Sequence, residues 1–228
     1  MPTNKTQRRQ LIARLGTTAA AVALGGSTAA AQAPARSFQP IRHEQDNWLD
    51  EIPGRHRLIL DTTTPEGFGD ALAFLNNYFN VNQSAYGLKD EDIAVVLVAR
   101  HLSTLFGYTD AIWAKYGTQI TERTNFNDPK TKRPPVINLY NATDYGPALN
   151  NRGTTLNALL KRGLRMAVCQ TATRGNATAI ATATGQTADA VFNEIAASLI
   201  SRSARLVPAG IITVNRAQER GYALVSAT

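Results

Sequence analysis

IAVVLVAR, residues 93–100, is an unbroken apolar, β-branched run set between Asp92 and Arg100. With no polar residue on either alternating face before Arg100, it predicts a strand covered on both sides, as strands of parallel sheets are. Working outward, HRLILDTT (56–63) is a shorter run of the same kind ending in an Asp/Thr cluster. Between the two, Phe68, Ala71, Leu72, Leu75, Tyr78 and Phe79 recur at three- and four-residue steps, the spacing of a helix that faces a core.

The alternation continues downstream. Residues 108–116 predict a short helix that Gly117 can end, and TTLNALLKRG (154–163) a second one ending at Gly163. RMAVCQ (165–170), ARLVPAG (204–210) and YALVSA (222–227) read as strands. ADAVFNEIAASLI (188–200) and IITVNRAQERG (211–221) read as helices, and the Thr/Ala-rich stretch 171–187 leads towards the first of them. Strands alternating with helices define the α/β class, here a three-layer α/β/α sandwich with a mostly parallel sheet of about five strands.

Two segments fall outside this rhythm. Residues 34–55, polar and broken by prolines, predict a mobile arm with Trp48 and Leu49 available to dock on the domain or a neighbour. Residues 118–153 are an insertion rich in Asn, Thr and Pro, with Lys130, Lys132 and Arg133 clustered inside it. Such a length predicts either a lid, binding loop or subunit contact, or a disordered surface insertion. The α/β domain is then residues 56–228, with the insertion inside it.

Charge narrows the function classes. The formal net charge is +7, but the first 33 residues carry Lys5, Arg8, Arg9, Arg14 and no acid. Taking these four from the 24 basic residues leaves 20 against 17 acidic, a mildly basic surface that does not call for nucleic acid. Residues 1–33 follow the layout of an export signal peptide: a basic start, a weakly apolar run (LIARLGTTAAAVALGG), then small residues. Arg8-Arg9 resembles a twin-arginine signal, with Gln7 standing where Ser or Thr is usual. The run is too short and too rich in Ala, Gly and Thr for a membrane span. The expectation is a periplasmic protein without a membrane anchor once the signal is removed. Cys169 is the sole cysteine, so no disulfide forms within the chain.

In open parallel sheets, ligands bind beyond the carboxyl ends of the strands. Those ends carry Asp61-Thr62-Thr63, Arg100-His101, Cys169-Gln170-Thr171 and Pro208-Ala209-Gly210. Cys169, His101 and Arg100 form a candidate catalytic set, with Thr62, Thr171, Arg174 and Gly210 as candidate binding residues. A thiolate is the nucleophilic form of cysteine, and cations and helix N-termini stabilise it. Thr171 and Thr173 are plausible caps for a following helix, and Arg174 is near enough in sequence to add charge. The competing reading is that Cys169 is a small core side chain, as free cysteines usually are. His43 and His56 have no visible partner, no histidine pair has metal-ligand spacing, and no phosphate loop or serine elbow occurs. No metal and no cofactor is expected.

The C-terminal motifs carry a resemblance. Gly163, Cys169, Val207-Pro208-Ala209-Gly210, Gln218 and Gly221-Tyr222 occur in the order found in the DsrE/DsrF-like family of sulfur-relay proteins, and HRLILDTTTPEGFGDALAFLNNY is similar to that family's first strand and helix. The resemblance implies a three-layer fold assembling into homo-oligomers, trimers or hexamers. It also implies a persulfide on Cys169, exchanged with a sulfur donor or acceptor protein. Export and the long insertion depart from the relay pattern. A non-catalytic oligomeric binding or scaffold protein reusing the fold is the alternative function.

Overall fold

The computed structural model describes residues 38–228. The export signal read at 1–33 lies outside the described residues. The expected α/β/α sandwich forms around a five-stranded sheet that is parallel throughout, in the order β4-β3-β2-β1-β5. The strands are β1 (His56–Thr62), β2 (Ile93–Ala99), β3 (Arg165–Cys169), β4 (Ala204–Val207) and β5 (Ala223–Ala227). The helices are α1 (Trp48–Glu51), α2 (Pro65–Tyr86), α3 (Asp110–Thr124), α4 (Leu156–Lys161), α5 (Gln170–Thr184), α6 (Ala188–Ala197) and α7 (Gly210–Gln218).

Handedness distributes the helices. Parallel crossovers are right-handed, so connections stepping the same way across a sheet lay their helices on one face. From β1 to β4 the chain steps one way, and α2 to α6 pack on the face formed by Leu58, Leu60, Val95, Leu97, Met166 and Val168. From β4 it crosses back to β5 beside β1, and α7 falls on the other face with Val214 and Ala217 against Ile59, Val96, Val98 and Ala167.

That second face needs more cover than α7 provides. Five strands about 4.8 Å apart span about 20 Å, whereas one helix is about 10 Å wide. The N-terminal segment fills the remainder: Trp48, Leu49 and Ile52 are buried in the same cluster. Each such burial stabilises by about 1.5–3 kcal/mol. The Tyr222 hydroxyl donates to Leu49 O at 2.7 Å, Arg57 donates to the same oxygen at 3.2 Å, and Arg220 Nε donates to Asp50 at 2.9 Å. Trp48 and Leu49 therefore dock on the domain, as the sequence allowed, and the expectation of a mobile arm is corrected for its second half, because the topology leaves an apolar face open for it.

Two further expectations change. Gly117 does not end a helix; α3 runs through it to Thr124 and stops at Asn125 in the left-handed conformation. A Cβ on Gly117 would sit 2.1 Å from Pro135 O, so this glycine makes room for the insertion crossing the helix. The Thr/Ala-rich stretch is itself helix α5, ended by Gly185 at φ 69°. Thr178, Thr182 and Thr184 turn their hydroxyls onto carbonyls four residues back, which satisfies them within the helix by sharing the helical acceptors.

The insertion packs onto the core rather than standing off it. Phe126, Leu139, Tyr140 and Leu149 are buried, and Phe126 and Tyr140 join Phe68, Phe106 and Trp113 in an aromatic cluster. Asn138 donates to Phe106 O at 2.9 Å and its backbone N–H donates to Asp110 at 2.8 Å. The reading of 118–153 as a disordered surface insertion is thus corrected.

Candidate functional site

Adjacent strands β3 and β4 send their following helices, α5 and α7, to opposite faces of the sheet. The connections diverge at the carboxyl ends, the position where open α/β sheets bind ligands. Cys169 is the last residue of β3, paired in register with Val207 of β4, and so stands at that point of divergence. The Thr171 hydroxyl links the two connections, donating to Pro208 O at 2.9 Å.

Cys169 also caps the fifteen-residue helix α5. Its Sγ accepts from Ala172 N at 3.5 Å, and its carbonyl accepts from the Thr173 hydroxyl at 2.9 Å. The capping role expected of Thr171 and Thr173 belongs to the cysteine, because the helix begins at Gln170 immediately after the strand. The helix thus directs its unpaired N–H groups and positive end at the sulfur. The residue is buried, with 6% of its surface exposed.

Arg100 follows β2 one residue beyond the Ala99–Val168 pairing, level with Cys169. Its Nε and one Nη each lie 2.8 Å from an Asp61 oxygen, a two-point fork across the ends of β1 and β2. This hydrogen bonding to Asp61 chiefly raises the arginine's pKa, and Cys169 adds a smaller charge interaction, so the guanidinium is in electrostatic range of the sulfur. Gly210 lets this happen. A Cβ there would meet Arg100 Cβ at 2.7 Å and Val98 Cγ1 at 2.9 Å, so only glycine allows α7 to start against the arginine.

The remaining candidates have other duties. Thr62 is fully buried; its hydroxyl donates to Val98 O at 2.7 Å and lies 2.9 Å from Ser103 Oγ. Ser103 in turn accepts from Arg100 N, so the pair frames the turn that carries Arg100. His101 is exposed, has φ 55°, and forms no side-chain hydrogen bond or ion pair among the described residues. Arg174 is engaged with α6, its guanidinium 3.9 Å from the Phe192 ring and 3.6 Å from Asp189. The structure therefore brings together Cys169, Arg100, Thr171 and Gly210, and gives Thr62 and Arg174 packing roles.

Sequence reading missed what stands behind the thiol. The Tyr108 hydroxyl donates to Thr173 at 3.0 Å, accepts from Asn176 at 3.2 Å, and Asn176 accepts from Arg123 at 3.0 Å. Burial pushes the Tyr108 pKa up to about 12, so its hydroxyl stays protonated and holds Thr173, hence the Cys169 carbonyl. Asp61 was visible at a strand end, but nothing in sequence joined it to a residue 39 positions away.

No family model and no curated protein matches the chain. Among solved structures, a protein of unknown function from Methanobacterium thermoautotrophicum is similar at 15% identity, over 75% of this chain and 99% of that one, with a TM-score of 0.37.

Proposed function

We propose that this chain is an exported, homo-oligomeric sulfur-handling protein of the DsrE-like kind, in which Cys169 takes up sulfane sulfur as a persulfide. The observation that supports this most is the position of the thiol, at the carboxyl end of β3 and at the start of α5. The Cys169 thiolate attacks the outer sulfur of a donor persulfide. A new S–S bond forms at Cys169, the donor's own S–S bond breaks, and the donor leaves as a thiolate with the bonding electron pair. The proton stays on the terminal sulfur, and no net oxidation occurs. Arg100, fixed by the Asp61 fork, sets a guanidinium at the neighbouring strand end, level with Cys169, with its charge largely balanced by that carboxylate.

The test is to mix the reduced protein with a small-molecule persulfide and record its intact mass. Wild type gains the mass of one sulfur and the Cys169→Ser variant gains none. Equal gain by both, or none by either, sinks the reading.

The burial of Cys169 favours a second reading, a non-catalytic oligomeric binding or scaffold protein in which the thiol is a core and capping group. It predicts that a thiol reagent labels the native protein only as fast as it unfolds. Labelling much faster than unfolding excludes it.

A further inference from the structure

At the other end of the sheet from Cys169, a cavity of about 200 Å³ lies between α1 and the starts of β3 and β4. Its lining includes Trp48, Glu51, Arg165, Arg202, Ser203 and Arg205. Strand alternation aims two of the arginines at it: Arg165 and Arg205 lie on the same face as Ala167 and Val207, whose side chains belong to the cluster with Trp48. Arg202 reaches it from the turn before β4.

These three guanidiniums are unlike most others among the described residues. Arg57, Arg100, Arg162, Arg174, Arg216 and Arg220 each face a carboxylate. Arg165, Arg202 and Arg205 make no ion pair among the described residues, and Glu51, the one acid in the lining, bridges none of them. Three like charges around one concavity repel one another unless an anion enters. Arg165 donates to Ser203 Oγ at 3.1 Å, which orients the guanidinium and leaves the hydroxyl proton free to donate. Arg205 is held over the Trp48 ring at 4.9 Å.

We propose that this cavity binds a small tetrahedral oxyanion, phosphate or sulfate, through Arg165, Arg202, Arg205 and the Ser203 hydroxyl. Planar guanidinium forks match the oxygens of such an ion in pairs. The volume is below the roughly 300–1,000 Å³ of pockets that take drug-sized organic ligands, which suits a small ion. The site is independent of the sulfur reading.

The test is titration of the whole protein with sodium phosphate, sulfate, acetate and chloride at matched ionic strength, followed by tryptophan fluorescence and checked by equilibrium dialysis of labelled phosphate. Trp48 lines the cavity, while Trp113, the other tryptophan, is buried in the opposite core and supplies a constant background. Phosphate and sulfate give a saturable change that acetate and chloride do not. Arg202→Gln alone, and Arg202→Gln with Arg205→Gln, weaken phosphate binding, the pair by about tenfold or more. Glu51→Gln tightens it. Superimposable phosphate and chloride curves, equal binding of acetate, or unchanged binding by the double variant would overturn the proposal.

Discussion

Arg100 and Asp61 meet through two 2.8 Å hydrogen bonds, with the carboxylate 5% exposed at the end of β1 and the guanidinium at the end of β2. The pair joins neighbouring strands at the rim and fixes the guanidinium at the strand end beside that of Cys169. Replacing Arg100 by Met leaves a buried carboxylate alone, at a cost of about 3 kcal/mol. Urea unfolding should show that loss, and Asp61→Asn combined with Arg100→Met should recover part of it, because no unpaired charge remains. An additive double variant would mean the two residues act separately.

Gly117 offers a sharper contrast. In an open helix interior, alanine is more favourable than glycine by about 1 kcal/mol. Here the added carbon meets Pro135 O at 2.1 Å. Gly117→Ala is therefore expected to destabilise, by about 2 kcal/mol, as overpacking does. A stabilised variant would show that the insertion yields freely.

The docked N-terminal segment carries stability. Leu49 is fully buried between the sheet and Tyr222. Leu49→Ala should cost about 2–5 kcal/mol. Removing residues 38–55 should uncover the part of the second face that α7 leaves open and produce binding of a hydrophobic dye. Unchanged stability in Leu49→Ala would mean that the segment is dispensable.

Tyr108 sets an alkaline limit. Its pKa rises from the ordinary 10 to about 12 through burial. The unfolded chain loses this proton first, so the contribution is complete below pH 10 and is lost as the pH climbs to about 12. The loss amounts to about 2–3 kcal/mol. Tyr108→Phe should flatten that part of the stability profile between pH 10 and 12; an identical slope in wild type and variant would contradict the assignment.

His101 adopts φ 55° without being glycine. A left-handed side-chain residue costs about 1–2 kcal/mol, partly offset by glycine's greater freedom when unfolded. His101→Gly should raise stability by about 0.5 kcal/mol, read from the shift in the urea midpoint.

The strands, most helices and the layered class were legible in the chain because IAVVLVAR, HRLILDTT and the leucine spacings reflect burial on one face or both. Helix α5 was not, since its Thr and Ala residues have little periodicity and the helix depends on Ala177, Ile180 and Ala181 packing into the core. Gly117 misled for a related reason: sequence cannot separate a glycine needed for a turn from one needed for a neighbour's backbone.

Cys169, Arg100, Thr171 and Gly210 were all readable as strand-end residues, and period and strand-end rules reach no further. Their union at one end of the sheet, the closure of the Arg100–Asp61 fork, and the use of Trp48 and Leu49 as a lid on the second face followed only from strand order. Order is set by which long crossovers pack best over the whole sheet. That is a sum over distant contacts, whereas the sequence displays directly only the local preferences of each segment.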